Sequence, residues 1–123
     1  MRYTISEMAS LLGVTTHTLR YYEKMGLIRP EVNEETGYRY YTVTDTRRFN
    51  LCRELRAAEL SLEECRELIG SPSVEQSDEM FARQAARLRR RQVLDELSIR
   101  FLEKMQEQYR TLEQDAGRVW GQN

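Results

Sequence analysis

Apolar positions in the first third of the chain recur at helical spacing, with one interruption. Met8, Ala9, Leu11 and Leu12 make one apolar face, Gly13 breaks it, and Val14, Leu19 and Tyr22 begin another. Residues three and four apart share a side of an α-helix. The stretch therefore predicts two short helices joined by a tight turn at Gly13, where a β-carbon would resist positive φ. Thr4 and Glu7 stand at capping-box spacing, with Ser6 an alternative cap, and Thr15 caps the second helix, which runs to about Met25 before Gly26. The pattern then changes. Pro30, an acidic tip from Asn33 to Gly37 and the return Tyr38-Arg39-Tyr40-Tyr41 predict a short β-hairpin. Thr44-Asp45 opens a third helix to about Leu60, and the capping box Ser61 to Glu64 opens a fourth that ends near Gly70.

Beyond Gly70 the composition shifts. Residues 71–79 read as a linker, 80–116 as one long helix without proline, and 117–123 as a tail. From Leu102 the apolar residues Met105, Tyr109, Leu112, Ala116 and Val119 follow at steps of three, four, three, four and three, a heptad seam. Phe81, Ala85 and Leu88, then Leu94, Leu97 and Phe101, continue the stripe upstream with a drift in register. A helix this long would overshoot a body as small as residues 1–70, so the seam calls for a partner helix. The expected dimer contacts are Leu94, Leu97, Phe101, Leu102, Met105, Tyr109 and Leu112. The fold class is mainly α.

The chain has 123 residues, room for one compact domain and an extension. Charged residues are 32% of it and nearly cancel, to a net −1, so affinity for a polyanion must come from local clustering. Cys52 and Cys65 lie in helical segments of a chain without a signal peptide, which predicts free, buried thiols in a reducing cytoplasm. No apolar run approaches the roughly 18 residues that would argue a membrane span. One histidine, no nucleophile and base pairing, no phosphate-cradling glycine loop and no metal-ligand spacing argue against an enzyme.

Candidate chemistry concentrates on the second helix. His17, Arg20, Tyr21 and Lys24 share one face at i, i+3, i+4 and i+7, while Leu19 and Tyr22 point to the core. Such a stripe suits phosphates and base edges in a major groove. An ordinary helical hairpin with a solvated charged face gives the same spacing. The hairpin that follows favours the first reading: alternation sets Arg39 opposite Tyr38 and Tyr40, so two tyrosines pack on the domain and an arginine points out.

The segments GVTTHTLRYYE, LRYYEKMGLIRP and GYRYY, in that order, resemble the MerR family of winged-helix bacterial transcription regulators, from about Tyr3 to Ile69. The resemblance implies a homodimer on a pseudo-palindromic promoter operator in double-stranded DNA. Each second helix would enter a major groove, and the wings would rest on flanking backbone. It implies DNA contacts from Arg20, Tyr21 and Lys24, from Arg39 in the wing, and from Arg56 before a second turn; Thr16, His17 and Tyr38 are expected to contact DNA beside them. Glu23, an anion in the same motif, is expected to orient a neighbouring cation. The implied mechanism is distortion of an over-long promoter spacer, which acts on RNA polymerase indirectly. An architectural DNA-bending or excision-type factor of the same fold is the alternative, as is a coiled-coil module that does not bind DNA; the heptad seam favours the regulator over the first.

Charge orients the expected pair of long helices. Arg83, Arg87, Arg89, Arg90 and Arg91 make the first half basic, whereas Asp95, Glu96, Glu103, Glu107, Glu113 and Asp115 outnumber Arg100, Lys104 and Arg110 in the second. An antiparallel coiled coil sets these halves against each other. Sensing members of the family carry cysteines at or beyond the start of the dimer helix, and none follows Cys65 here. No metal, cofactor or thiol switch of the family type is therefore expected, and a small-molecule effector is unknown. Trp120 has two readings, a cap on the coil end against the partner's DNA-binding domain or the wall of a small pocket.

Overall fold

The computed structural model describes residues 1–120, with side chains through Gly117. Five helices and one hairpin follow in the order α1 (Ile5–Leu12), α2 (Thr16–Lys24), β1 (Glu31–Val32), β2 (Arg39–Tyr40), α3 (Val43–Ala57), α4 (Leu62–Ile69) and α5 (Val74–Trp120). The chain divides into a compact unit, Met1–Phe81, and the chain that follows it. Among the described residues no helix is long and apolar enough to cross a membrane.

Local chemistry explains each boundary. Thr4 and Glu7 form the expected reciprocal cap on α1. Gly13 ends α1 in the left-handed conformation at φ 68°, and the Thr15 hydroxyl accepts from Thr18 N to start α2. Ser61 and Glu64 cap α4 in the same reciprocal way as α1. The third helix begins earlier than Thr44: Asp45 reaches back to accept from Thr42 N at 3.0 Å. The last helix also begins early. Residues 71–79 are not all linker, because Ser73 and Gln76 exchange backbone-to-side-chain bonds that start α5 at Val74. Nor does α5 stop at Ala116; it continues into the expected tail, to Trp120. The Trp120 side chain lies outside the described residues.

Two apolar clusters build the compact unit. Met8, Ala9, Leu12, Leu19, Ile28, Tyr41 and Phe49 form one; Leu27, Cys52, Leu55, Leu60 and Cys65 form the other; Tyr22 packs against both. Its ring lies 4.7 Å from that of Phe49, centroid to centroid. Leu11 departs from the periodicity. It is 62% exposed, because α1 turns only Met8, Ala9 and Leu12 fully inward. The expected thiols are free and buried, and they touch. Burial, and next the neighbouring Cys65, push the Cys52 thiol up to about 11, and burial likewise raises Cys65.

Candidate nucleic-acid interface

The helix α2 is held at both ends. Its first turn follows the Gly13 turn, which brings Val14 onto the first apolar cluster. At its far end Arg66 of α4 donates through Nε to the Met25 carbonyl at 2.8 Å, satisfying a terminal acceptor that the helix itself leaves open. With Leu19 fully buried and Tyr22 half-buried, the opposite face is turned to solvent. It carries His17, Arg20, Tyr21 and Lys24, all exposed, with Thr16 half-buried at the first helical position.

The hairpin stands beside this face. Glu31 pairs with Tyr40 and Val32 with Arg39 in antiparallel register. At the tip the Asn33 side chain accepts from the backbone N of Glu35 and Thr36, and Gly37 takes φ 75°. The base is tied down more firmly. Tyr41 bridges to Tyr3 through two backbone bonds of 2.8 and 2.7 Å. The buried Asp45 carboxylate accepts from Arg29 N as well as from Thr42 N, so one side chain holds both ends of the hairpin.

Strict alternation along Tyr38 to Tyr41 fails. Tyr38 does not pack on the domain; it is 66% exposed, and Tyr41 is the buried tyrosine because its pairing with Tyr3 turns it inward. Arg39 does not simply point away either. Its Nε lies 2.7 Å from Glu23 Oε1, while the Tyr41 hydroxyl donates to Glu23 Oε2 at 3.2 Å. Glu23 thus joins α2 to the hairpin. Burial, and then the Glu23 carboxylate, push the Tyr41 hydroxyl up to about 12. Between α2 and the hairpin lies an open cleft of about 570 Å³, lined by Arg20, Glu23, Tyr38 and Arg39 among others.

The structure therefore brings Arg20, Tyr38 and Arg39 to one cleft, with His17, Tyr21 and Lys24 on the same helix face as Arg20. Arg56 is not among them. It is exposed, but its Nη1 donates to the Leu60 carbonyl at 2.9 Å and closes the turn between α3 and α4. The sequence does not point to Arg66, and it places Asp45 only at the start of the third helix, not at the base of the hairpin. Arg66 gave no signal, since its acceptor is a backbone carbonyl 41 residues away. Asp45 gave one in the Thr42-x-x-Asp45 spacing. Among the described residues no group of three or more His, Cys, Asp or Glu is placed to hold a metal ion.

Two helices crossing at a glycine turn, a charged second helix and a tethered hairpin define a winged helix-turn-helix, and comparison with known proteins gives its lineage. Residues 3–71 match the model of the MerR HTH family regulatory proteins. The chain belongs to this family of transcription regulators, which are not enzymes. It is 43% identical over 67 residues to the HTH-type transcriptional regulator ZntR of Escherichia coli K12, covering 54% of this chain and 48% of that protein. The chain thus matches about half the length of such curated relatives. An uncharacterized HTH-type regulator of Bacillus subtilis, YyaN, is 32% identical over 115 residues, 91% of this chain and 81% of its own. Among solved structures, a MerR family regulator from Bacillus cereus superposes with TM-score 0.63 at 31% identity, over 87% of this chain and 79% of that one. HiNmlR, a MerR family regulator lacking the sensor domain and bound to promoter DNA, shares the fold at TM-score 0.62 and 24% identity, over 98% and 96% of the two chains.

Proposed function

We propose that this chain is a cytoplasmic, sequence-specific DNA-binding regulator that acts as a homodimer on a promoter operator. The supporting observation is the cleft that gathers Arg20 of the recognition helix with Tyr38 and Arg39 of the wing, next to the exposed Tyr21 and Lys24. Arginine and lysine side chains supply the phosphate contacts that dominate affinity, and the helix face supplies base contacts that specify sequence. His17 and Thr16 stand at the start of that helix, where side chains reach base edges. Arg56 gives one of its five donors to the Leu60 carbonyl, so it would meet the flanking backbone from the turn it closes.

Dimerisation rests on the apolar residues of α5. Leu94, Leu97, Phe101, Leu102, Tyr109 and Leu112 are exposed and Met105 is half-exposed, a seam that water does not favour. The opposed charge of the two halves makes the pair antiparallel. Two recognition helices then face successive turns of one duplex, and bending and untwisting of the promoter spacer carries part of the specificity. RNA polymerase is engaged only through that distortion.

Selection of bound sequences from a random DNA pool tests this reading. The expected product is a pseudo-palindrome bound with steep salt dependence. Arg39→Ala should weaken all sequences alike and lower the salt slope by about 1, whereas Arg20→Ala or Tyr21→Ala should also relax sequence preference. Recovery of no enriched sequence, or equal effects of all three substitutions on operator and random DNA, overturns it.

A further inference from the structure

The wing arginine is the only cation on the hairpin return, yet in the free protein it already has an anionic partner. Glu23 Oε1 lies 2.7 Å from Arg39 Nε, and the carboxylate is itself steadied by the Tyr41 hydroxyl on Oε2. Glu23 is only 22% exposed while Arg39 is 59% exposed, so the pair presents its cationic side to solvent. A guanidinium has five N–H donors in a rigid plane. A carboxylate that takes the Nε edge leaves the far edge, built from the two Nη groups, free for a second anion.

We propose that Glu23 is a positioning residue for DNA. It grips the inner edge of Arg39, fixes the wing against the recognition helix, and aims the outer edge at a backbone phosphate. The proposal rests on the DNA-binding reading above. It assigns to an anion beside a polyanion a net favourable role, since a preset geometry offsets the repulsion. Bare proximity of like charges predicts the opposite, that removing Glu23 tightens binding. Tyr41 completes the relay: its buried hydroxyl keeps Glu23 from swinging toward solvent.

Binding of the full chain to its selected operator, titrated at several salt concentrations, separates these outcomes. Glu23→Gln keeps the side-chain shape and an acceptor for Tyr41 but removes the charge. It should weaken binding roughly tenfold, the scale of one charge-assisted contact. The salt slope should fall by about 1, as for Arg39→Ala. In the double variant Arg39→Ala should cost almost nothing further, because its contact is already lost. Arg39→Lys, an exposed change that does not threaten folding, should lose most of what Arg39→Ala loses, because an ammonium on a flexible stem lacks the rigid planar fork that fixes its direction between two anions. Additive losses, unchanged or tighter binding by Glu23→Gln, or full activity of Arg39→Lys overturns the proposal while operator binding by the unsubstituted chain still stands. Absence of salt-sensitive binding by the unsubstituted chain overturns the DNA-binding reading, and this inference with it.

Discussion

Arg66 on α4 donates through Nε to the Met25 carbonyl at 2.8 Å, which fastens a helix of the second apolar cluster to the C-terminal end of the recognition helix. The guanidinium is also bound by Glu63 at 3.2 Å, one turn away on α4. Met25 caps α2, so the contact fixes where that helix stops and the chain turns toward the wing. Arg66→Ala should destabilise the compact unit by about 1 kcal/mol, discounted for the exposure of the arginine. Thermal denaturation measures this. A melting temperature equal to that of the unsubstituted protein would show that the bond restrains nothing.

The turn before α2 makes a second, independent prediction. Gly13 sits at φ 68° with nothing within 4 Å of where a β-carbon would stand. The penalty of a side chain there is backbone strain alone, without a clash. Gly13→Ala should cost about 1 kcal/mol, and Gly13→Asn clearly less, since asparagine tolerates the left-handed region. Equal losses for the two variants in chemical denaturation would contradict this account of the turn.

Buried thiols and a buried phenol set the alkaline limit of stability. Burial pushes Cys52 up to about 11 and Tyr41 up to about 12, each above its ordinary value. In the unfolded chain both groups ionise earlier. Their contribution is therefore complete below about pH 9, near the ordinary thiol value, and is lost as pH climbs toward 11 and 12. Urea midpoints should hold up to pH 9 and then fall. Cys52→Ala, less stable at neutral pH because it leaves a cavity, should show a shallower fall. The native thiols should resist alkylation at neutral pH and react after unfolding. Fast alkylation of the folded protein would disprove the burial.

Much of this architecture was legible in the residues. Capping boxes at Thr4 and Ser61 and the glycine at the turn dictate local backbone geometry, and the helices α1, α2 and α4 begin where they predict. The misreadings have equally local causes. Ser73 with Gln76 is a cap of the same reciprocal kind, hidden among small polar residues that read as linker. Leu11 obeys helical spacing, but the stripe on an eight-residue helix is narrower than the period allows. The wing strands are two residues each, too short for alternation to outweigh the Tyr3 to Tyr41 bridge, so Tyr38 stands exposed and Tyr41 is the buried tyrosine. Tertiary bonds such as Arg66 to Met25 and Arg56 to Leu60 leave no periodic trace. At the interface the exposed cations were readable as a stripe, whereas the distances within the group Glu23, Arg39 and Tyr41 needed the fold.

The seam on α5 yields a prediction about assembly. Leu102→Glu with Leu112→Glu places charge on two exposed positions of the apolar stripe. The double variant should sediment as a monomer and lose most of its operator affinity, since one recognition helix then binds without the other. Reversing acids from Asp95 to Asp115 to lysine should also weaken the dimer, because the antiparallel arrangement sets them against Arg83 to Arg91. An unchanged dimer constant for the charge reversal would favour a parallel pair.

Hydroxyl-radical footprinting of the selected operator tests the central claim most directly. The account predicts two protected patches related by a two-fold axis, with centres separated by about one helical turn or a whole multiple of it. It also predicts an altered cleavage pattern in the uncontacted spacer between them, where the duplex is deformed. A single protected patch, the size of one winged domain and with undistorted flanks, would contradict it.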